Sequence, residues 1–348
     1  MIIDPKTRKR IKNFKKVKRG YYSFWLLMIS ISLSIILELL VNNKALVVHY
    51  NGDYYFPVVS KVYQSTTFGL KYPYETKYRE LQRAFKEENK GNWVLMPLIP
   101  FNPYENDFSL KENPPNRPSL ENEHYLGTDS SGRDVLARLL YGFRVCIFFA
   151  LGVYIVTTII GVFFGCLMGY FGGKFDLFFQ RMIEIWINIP SLYLIIIIGA
   201  LIFPNVYILM SILVFVHWPD MTTFMRAEMY REKRRQYAEA ARSMGAGHLR
   251  IIFSHLLPNS LVPIIARMPF QMVWGILVLT SLDYLGYGLP APIPSWGEMM
   301  FQGRESFSYA PWLLLVPSIA ITVVLTLFTF MGEAVRESFD PKQFMIYE

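Results

Sequence analysis

The sequence predicts an all-α, polytopic membrane protein with six transmembrane helices and a long extracytoplasmic loop after the first helix. Three observations indicate this fold class. Hydrophobic residues make up 53% of the 348 residues and aromatic residues 16%, which is high for a soluble domain. Six apolar runs are long enough to cross a bilayer. Basic residues are concentrated beside the ends of these runs that would share one side of the membrane.

The first apolar run, residues 22–41, follows a basic leader as the core of a signal peptide would. It is long enough to span the membrane and no A-x-A cleavage site follows it, so we interpret it as a retained anchor. The other five runs lie at residues 143–170, 177–203, 206–225, 261–285 and 311–331. Pro219 and Asp220 interrupt the fourth of the six.

The net charge of +8 is largely local, because nine of the 35 Lys and Arg residues precede Gly20 and only one acid, Asp4, accompanies them. A basic flank beside a span is typical of the cytoplasmic side, and this explanation is favoured over nucleic-acid binding. With the leader 1–21 inside, six crossings return the tail 332–348 to the cytoplasm. Both termini are therefore expected there.

The loop at residues 42–142 carries as many acidic as basic residues up to Tyr141, as expected of a translocated segment. The Asn51-Gly52 pair, between runs rich in Tyr and Val, predicts a β-hairpin. A charged helix is expected at residues 77–91, followed by a Pro/Asn-rich coil around Pro114, Pro115 and Pro118. This loop is too irregular for an independent enzyme domain, which favours a docking or gating element.

Residues 236–258 form a small polar insert between two apolar runs. Ala238, Ala240 and Ala241 favour helix, whereas Gly245 and Gly247 allow the backbone to reverse. Apolar residues then return at helical spacing from 248 to 257. The pattern predicts two short helices joined by a tight turn. Such a hairpin either connects two spans passively or is moved by a soluble partner.

The same insert resembles the EAA motif of ABC importer permeases. The matching positions are Glu239, Ala240, Ala241, Gly245, Leu257 and Pro258, with His255 in a variable position. Segments 124–144, 290–300, 310–312 and 332–341 are similar to the peptide/nickel branch, and the first third resembles the E-type permeases of Yej importers, which take up microcin C-like peptides and oligopeptides. The segment 279–288 departs from the wider family pattern, since it lacks an expected acid and contains Asp283.

This resemblance implies the type I ABC importer permease fold, with a core at 143–331, in the inner (cytoplasmic) membrane. It implies ATP-driven import of an oligopeptide or a microcin C-like peptide, with dipeptide or nickel-type substrates as the alternative. The expected partners are membrane lipid, a second, B-type permease, P-loop ATPase subunits and an extracytoplasmic peptide-binding protein. No G-x-x-x-x-G-K-[ST] motif is present, so ATP and Mg are expected to act in the partner, with no cofactor on this chain.

Other charged residues have two interpretations. Arg181 and Glu184 share one helix face, and Arg267 and Asp283 lie in or beside apolar runs; each is a candidate for the pathway or for contact between subunits, with snorkelling to the interface as the alternative. A membrane enzyme would rely on residues such as Asp129 and Asp134. However, Asp129 and Ser130 fit helix N-caps better, and Arg133 and Asp134 can pair locally. An assembly protein is the third class. Cys146 and Cys166 lie roughly 30 Å apart if helical, and no metal-ligand spacing is present.

Overall fold

The computed structural model describes residues 5–60, 62–71, 73–88, 91–110, 112–202 and 205–339. The chain divides into two compact units. One comprises residues 1–27, 146–290 and 322–348, and the other residues 28–145 and 291–321. The predicted end of the third span at Phe203, the first four leader residues and the tail from 340 lie outside the described residues.

Helices account for most of the secondary structure. In chain order they are α1 (Pro5–Lys16), α2 (Lys18–Ile35), α3 (Leu37–Leu40), α4 (Tyr78–Glu88), α5 (Val135–Phe171), α6 (Gly173–Ile187), α7 (Ser191–Leu201), α8 (Val206–Lys233), α9 (Gln236–Ser243), α10 (His248–Arg250), α11 (Leu257–Tyr284), α12 (Trp296–Glu305) and α13 (Trp312–Phe339). A 3-10 turn covers Ser65–Phe68, and the strands are β1 (Val47–Tyr50), β2 (Asp53–Tyr55) and β3 (Trp93–Leu95).

Within the described residues, four helices are long and apolar enough to cross a membrane: α5, α8, the continuous helix His248–Tyr284, and α13. A fifth span results if Gly173–Ile187 and Ser191–Gly199, bent by 68°, count as one. The remaining predicted span, 22–41, is divided between α2 and α3 at Ile36. The helix α2 has 18 residues and begins with Lys18 and Arg19. These two charged residues lower its mean hydropathy, and α2 is not among the four helices that meet the length and hydropathy criteria.

The predicted interruption of the fourth span is absent, because α8 runs unbroken through Pro219. Proline lacks the N–H that would donate to the carbonyl of Phe215 four residues earlier. The indole Nε1 of Trp186 donates to that carbonyl instead, at 3.2 Å. The indole thus replaces the hydrogen bond that Pro219 cannot make. This replacement is needed in a membrane, because no water is available there to bind the free carbonyl.

In the unit containing residues 146–290, three glycines at four-residue spacing allow α5 to lie directly on α8. A Cβ added at Gly161 or Gly165 would lie 2.5 or 2.6 Å from the Cβ of Met221 or Met225. The third pair, Gly169 and Met229, repeats this contact at 2.6 Å. Small residues at this spacing are typical of close helix packing in membranes. This stripe was not predicted from the sequence.

The other unit contains a small sheet in the order β2-β1-β3, with both pairs antiparallel. The predicted hairpin is confirmed: Tyr50 pairs with Asp53 across a turn in which Asn51 and Gly52 both have positive φ. The predicted helix is α4. Its Leu81 and Phe85 pack with Val48 in one buried cluster. The loop is therefore more ordered than its composition suggested, and β3 was not predicted.

Candidate functional site

The insert predicted at 236–258 begins with α9, which ends in a hydrogen-bonded reversal. The N–H of Gly245 donates to the carbonyl of Arg242 at 3.0 Å, and the N–H of Ala246 donates to that of Ala241 at 3.1 Å. This is a Schellman motif, which places the residue after the cap in the left-handed region. Gly245 has φ +78°, and a Cβ there would meet no atom within 4 Å. Backbone conformation, not space, therefore favours glycine.

The second arm differs from the prediction of a separate short helix. It starts at His248 and continues through the π-helical turn Ile251–Leu256 directly into α11. The wider turn ends two residues before Pro258, whose missing N–H interrupts the α-helical hydrogen-bond pattern. The arm is thus the first part of a helix of 37 residues. A displacement of the hairpin would act directly on that span.

One face of the hairpin is buried on the ends of membrane helices. Ala238 and Ala241 of α9 pack in one apolar cluster with Met225 and Met229 of α8 and with Leu256. Alanine side chains allow α9 to approach α8 closely. This burial holds α9 against the end of α8.

Polar contacts hold the same elements together. Tyr237 donates a hydrogen bond to Glu232 Oε2 at 2.7 Å, and burial followed by this hydrogen bond raises the pKa of the Tyr237 phenol to about 12. The hydroxyl therefore stays protonated and keeps donating. Tyr170 Oη lies 2.7 Å from His248 Nδ1, which ties the second arm to the end of α5.

The opposite face of the hairpin is apolar and exposed. Met244, Leu249 and Phe253 are 80%, 70% and 61% exposed. Glu239 and Arg242 of α9 are also exposed, and neither forms an ion pair within the described part of the chain. Of the other predicted motif residues, Ala240 and Pro258 are exposed, Ala241 is buried, and His255 and Leu257 are half-buried. The motif thus supplies both a packed inner face and an exposed outer face.

The remaining predicted site residues lie elsewhere. Arg181 Nη1 contacts Glu184 Oε2 at 2.6 Å on α6, so the two form the local pair expected from their spacing. Asp283 is buried, and its Oδ1 accepts a hydrogen bond from the N–H of Leu289 at 2.6 Å. It therefore stabilises the turn that follows α11. No role in a pathway follows from these contacts alone.

The carboxylates considered for a membrane enzyme are occupied in buried polar contacts. Asp134 Oδ1 accepts a hydrogen bond from the N–H of Ala137 at 2.7 Å, as an N-cap of α5 does, and its Oδ2 lies 2.8 Å from His124 Nδ1. Asp129 contacts Arg133 at 2.7 Å and Arg138 at 3.3 Å. The expected pairing of Arg133 with Asp134 is wrong, because Arg133 binds Asp129 and Glu298 instead.

The described residues contain no group of three or more His, Cys, Asp or Glu side chains that could hold a metal ion. Several apolar spans, and a hairpin that is packed on one face and exposed on the other, define an integral membrane protein of the transport-permease class. Residues 161–344 match the family described as "Binding-protein-dependent transport system inner membrane component". The chain belongs to this family.

Similar proteins agree with this assignment. The chain is 38% identical over 341 residues, 98% of both chains, to "Inner membrane ABC transporter permease protein YejE" of Escherichia coli (strain K12). It is 37% identical over 361 residues, 97% of this chain and 94% of the relative, to "Peptidoglycan transport system permease protein YejE" of Agrobacterium fabrum. It is 34% identical over 251 residues, 72% and 85% of the two chains, to "Dipeptide transport system permease protein DppC" of Haemophilus influenzae. The resemblance drawn from the sequence is confirmed.

Proposed function

We propose that this chain is a permease subunit of an ATP-driven importer for peptides, in which a partner ATPase moves the hairpin 236–258. The observation that carries the proposal is the two-faced hairpin. Its inner face is packed on α8, whereas Met244, Leu249 and Phe253 on its outer face are left exposed. An exposed apolar patch rimmed by charged residues is typical of a protein interface.

The nature of the substrate is supported by the relatives. Two relatives that match nearly the whole chain are named as YejE permeases, one of them for peptidoglycan transport, and others are named as dipeptide and oligopeptide permeases. The identity is higher and extends over more of the chain for the YejE relatives. We therefore propose an oligopeptide or a peptide-containing fragment as substrate, with dipeptides as the second candidate.

The rest of the assembly follows from the same proposal. A second permease subunit shares the translocation path, a binding protein delivers substrate from outside, and P-loop ATPase subunits hydrolyse ATP with Mg. The chain lies in the inner membrane with both termini in the cytoplasm, the same side as the hairpin. Because His248–Tyr284 is one continuous helix, movement of the hairpin by the ATPase would be transmitted directly to this span.

Co-purification with a matched pair of substitutions tests this proposal. The tagged chain is expressed with its candidate partners, extracted in mild detergent, and assayed for bound subunits and ATPase activity. Leu249→Asp places a charge on the outer face of the hairpin, at a side chain that is 70% exposed, and Leu98→Asp makes the same change at a loop residue that is 77% exposed.

We expect wild type and Leu98→Asp to retain a P-loop ATPase, and Leu249→Asp to lose it while staying monodisperse. Equal retention by all three proteins would place the ATPase contact elsewhere. Recovery of the wild-type chain without any ATPase would contradict the importer function itself.

A further inference from the structure

A polar cavity lies among three membrane helices of the unit that contains residues 146–290. Its volume is about 350 Å³, and it is bounded by α5, α8 and α11. The lining residues of each helix, at 150–157, 217–221 and 267–274, lie within its predicted span. The polar side chains that line it are Tyr154, Thr157, His217, Asp220, Arg267 and Gln271. Polar groups inside a membrane are rare unless they face each other or a water-filled space.

The charged side chains around this cavity differ in the partners that they contact. Asp220 Oδ2 lies 3.9 Å from His217 Nδ1, one turn earlier on α8. Arg267 forms no salt bridge within the described residues. Its guanidinium lies over the ring of Phe224, 4.3 Å from the centroid. This contact leaves the N–H donors at the edge of the guanidinium plane available for an anion.

An arginine at this depth needs a compensating partner, because an intramembrane charge is costly when it is neither paired nor hydrated. Among the described residues that line the cavity, Asp220 is the only carboxylate; it interacts electrostatically with Arg267 but forms no salt bridge with it, and its side chain is 69% exposed. The walls beside Arg267 are aromatic: Phe270 and Trp274 line the same cavity, and Trp274 packs against His217 at 4.4 Å between ring centroids. The site thus combines one available cation with apolar contact surface.

We propose that this cavity is a subsite on the translocation path in which Arg267 binds a carboxylate of the passing peptide. The inference rests on the proposed function and names the chemistry that this chain recognises. A planar guanidinium binds carboxylate through two parallel hydrogen bonds. The volume lies within the range of small-molecule sites and suits one end of a peptide better than a whole oligopeptide. The carboxylate belongs either to the C-terminus or to an acidic side chain.

The test uses the complete importer in proteoliposomes, supplied with its binding protein and ATP. A mixed tetrapeptide library is offered in two forms, with a free C-terminal carboxylate and with a C-terminal amide, and uptake is read by mass spectrometry. Wild type is compared with Arg267→Gln. Any preference of the binding protein for one peptide form affects wild type and Arg267→Gln equally. A change in the acid-to-amide uptake ratio between the two proteins therefore reports the contribution of Arg267.

We expect Arg267→Gln to lower the acid-to-amide ratio about tenfold, the size of effect typical of a charge-assisted hydrogen bond. Asp220→Asn removes the negative charge from the same cavity at an exposed side chain, and we expect it to raise the ratio. Among the amidated peptides, those with Glu or Asp can be compared with those with Gln or Asn. If Arg267→Gln lowers uptake of the first group relative to the second, side-chain carboxylates are the ligand.

An unchanged ratio in both variants, with assembly and basal ATPase activity intact, would overturn the subsite. If Arg267→Gln does not assemble, Asp220→Asn and Arg267→Lys decide the matter, since the first must raise the ratio and the second must keep a preference for acids. Wild-type importer that moves no peptide in either form would instead refute the proposed function, which separates the two failures.

Discussion

Gly165 of α5 lies against Met225 of α8 so closely that a Cβ at position 165 would be 2.6 Å from the Cβ of Met225 and 2.7 Å from the carbonyl oxygen of Thr222. Both neighbours are part of α8, so they cannot rotate away as a flexible side chain would. The absence of a side chain at this position therefore allows the two helices to touch along their backbones.

Gly165→Ala should destabilise the protein by about 1–3 kcal/mol, because the added methyl group must push α5 and α8 apart. Gly199→Ala in α7 is the matched control, since a Cβ there meets no atom within 4 Å. Unfolding in mixed detergent micelles by SDS titration measures both. Equal stability of the two variants would show that the helices are not packed as described.

Gly245→Asp should abolish uptake while most of the fold remains. Gly245 has φ +78°, and a side chain in this region costs about 1–2 kcal/mol, less for asparagine. Gly245→Asn should therefore retain more activity than Gly245→Ala. Gly247, two residues on, has φ −68°, so Gly247→Ala serves as the unstrained control. Peptide uptake by proteoliposomes separates these variants, and full transport by Gly245→Asp would refute the coupling role.

Glu239→Lys, on the exposed face, should also lose uptake with little change in stability.

Asp176 and Arg226 form a bidentate ion pair between α6 and α8. Arg226 Nε and Nη2 donate to the two carboxylate oxygens at 2.5 and 2.6 Å, and Tyr230 adds a hydrogen bond at 2.8 Å. The Asp176 side chain is buried, so Asp176→Asn should lower the free energy of unfolding by about 1.5–3 kcal/mol.

A double-mutant cycle with Arg226→Gln measures the interaction between the two residues. If the two single losses simply add in the double variant, the pair contributes nothing as a unit.

His124 predicts a pH dependence for the unit that contains residues 28–145. Burial alone would lower the pKa of its imidazole, but Asp107 and Asp134 outweigh burial and raise it. The interaction with His124 is in turn the main reason that the pKa of Asp107 is lowered. Nδ1 of His124 lies 2.8 Å from Asp134 Oδ2, and Nε2 lies 3.6 Å from Asp107 Oδ2.

The signs of these shifts define a stability window. A raised histidine pKa contributes stability below the unfolded value of about 6.5, and this contribution is lost as pH rises through the folded value. A lowered aspartate pKa contributes above about 3.9 and is lost as pH falls. Thermal unfolding of the full chain in detergent should therefore show lower stability at pH 9 than at pH 6. His124→Gln should flatten that difference, and an unchanged slope would contradict the assignment.

Local rules explain what could be predicted from the sequence. The Asn51-Gly52 turn requires positive φ at both residues, which these two residue types tolerate, so the hairpin was recognisable from a dipeptide. The EAA residues were recognisable because their spacing follows one helix, one turn and one proline. The continuity of α8 through Pro219 was not, because it depends on Trp186 in another helix, and the break at Ile36 was not predicted either.

The partners of the buried polar residues are set by contacts between segments far apart in the chain. Asp129 and Arg133 are close in sequence, but the network that buries them includes Glu298, which is 165 residues from Arg133. The cavity around Arg267 has the same character, since its six polar residues come from three helices and no short segment contains more than two of them. Motif spacing carries no information about such sets.

The sequence by itself determined the membrane class and the position of the hairpin, because apolar length and glycine act over a few neighbouring residues. The sidedness indicated by the basic residues stays a prediction. Tertiary structure decided which face of the hairpin is exposed, which carboxylates are buried in ion pairs, and that Arg267 faces a cavity. These depend on which helices touch. Close packing is set by the shapes of residues far apart in the chain, and pattern within one segment cannot specify it.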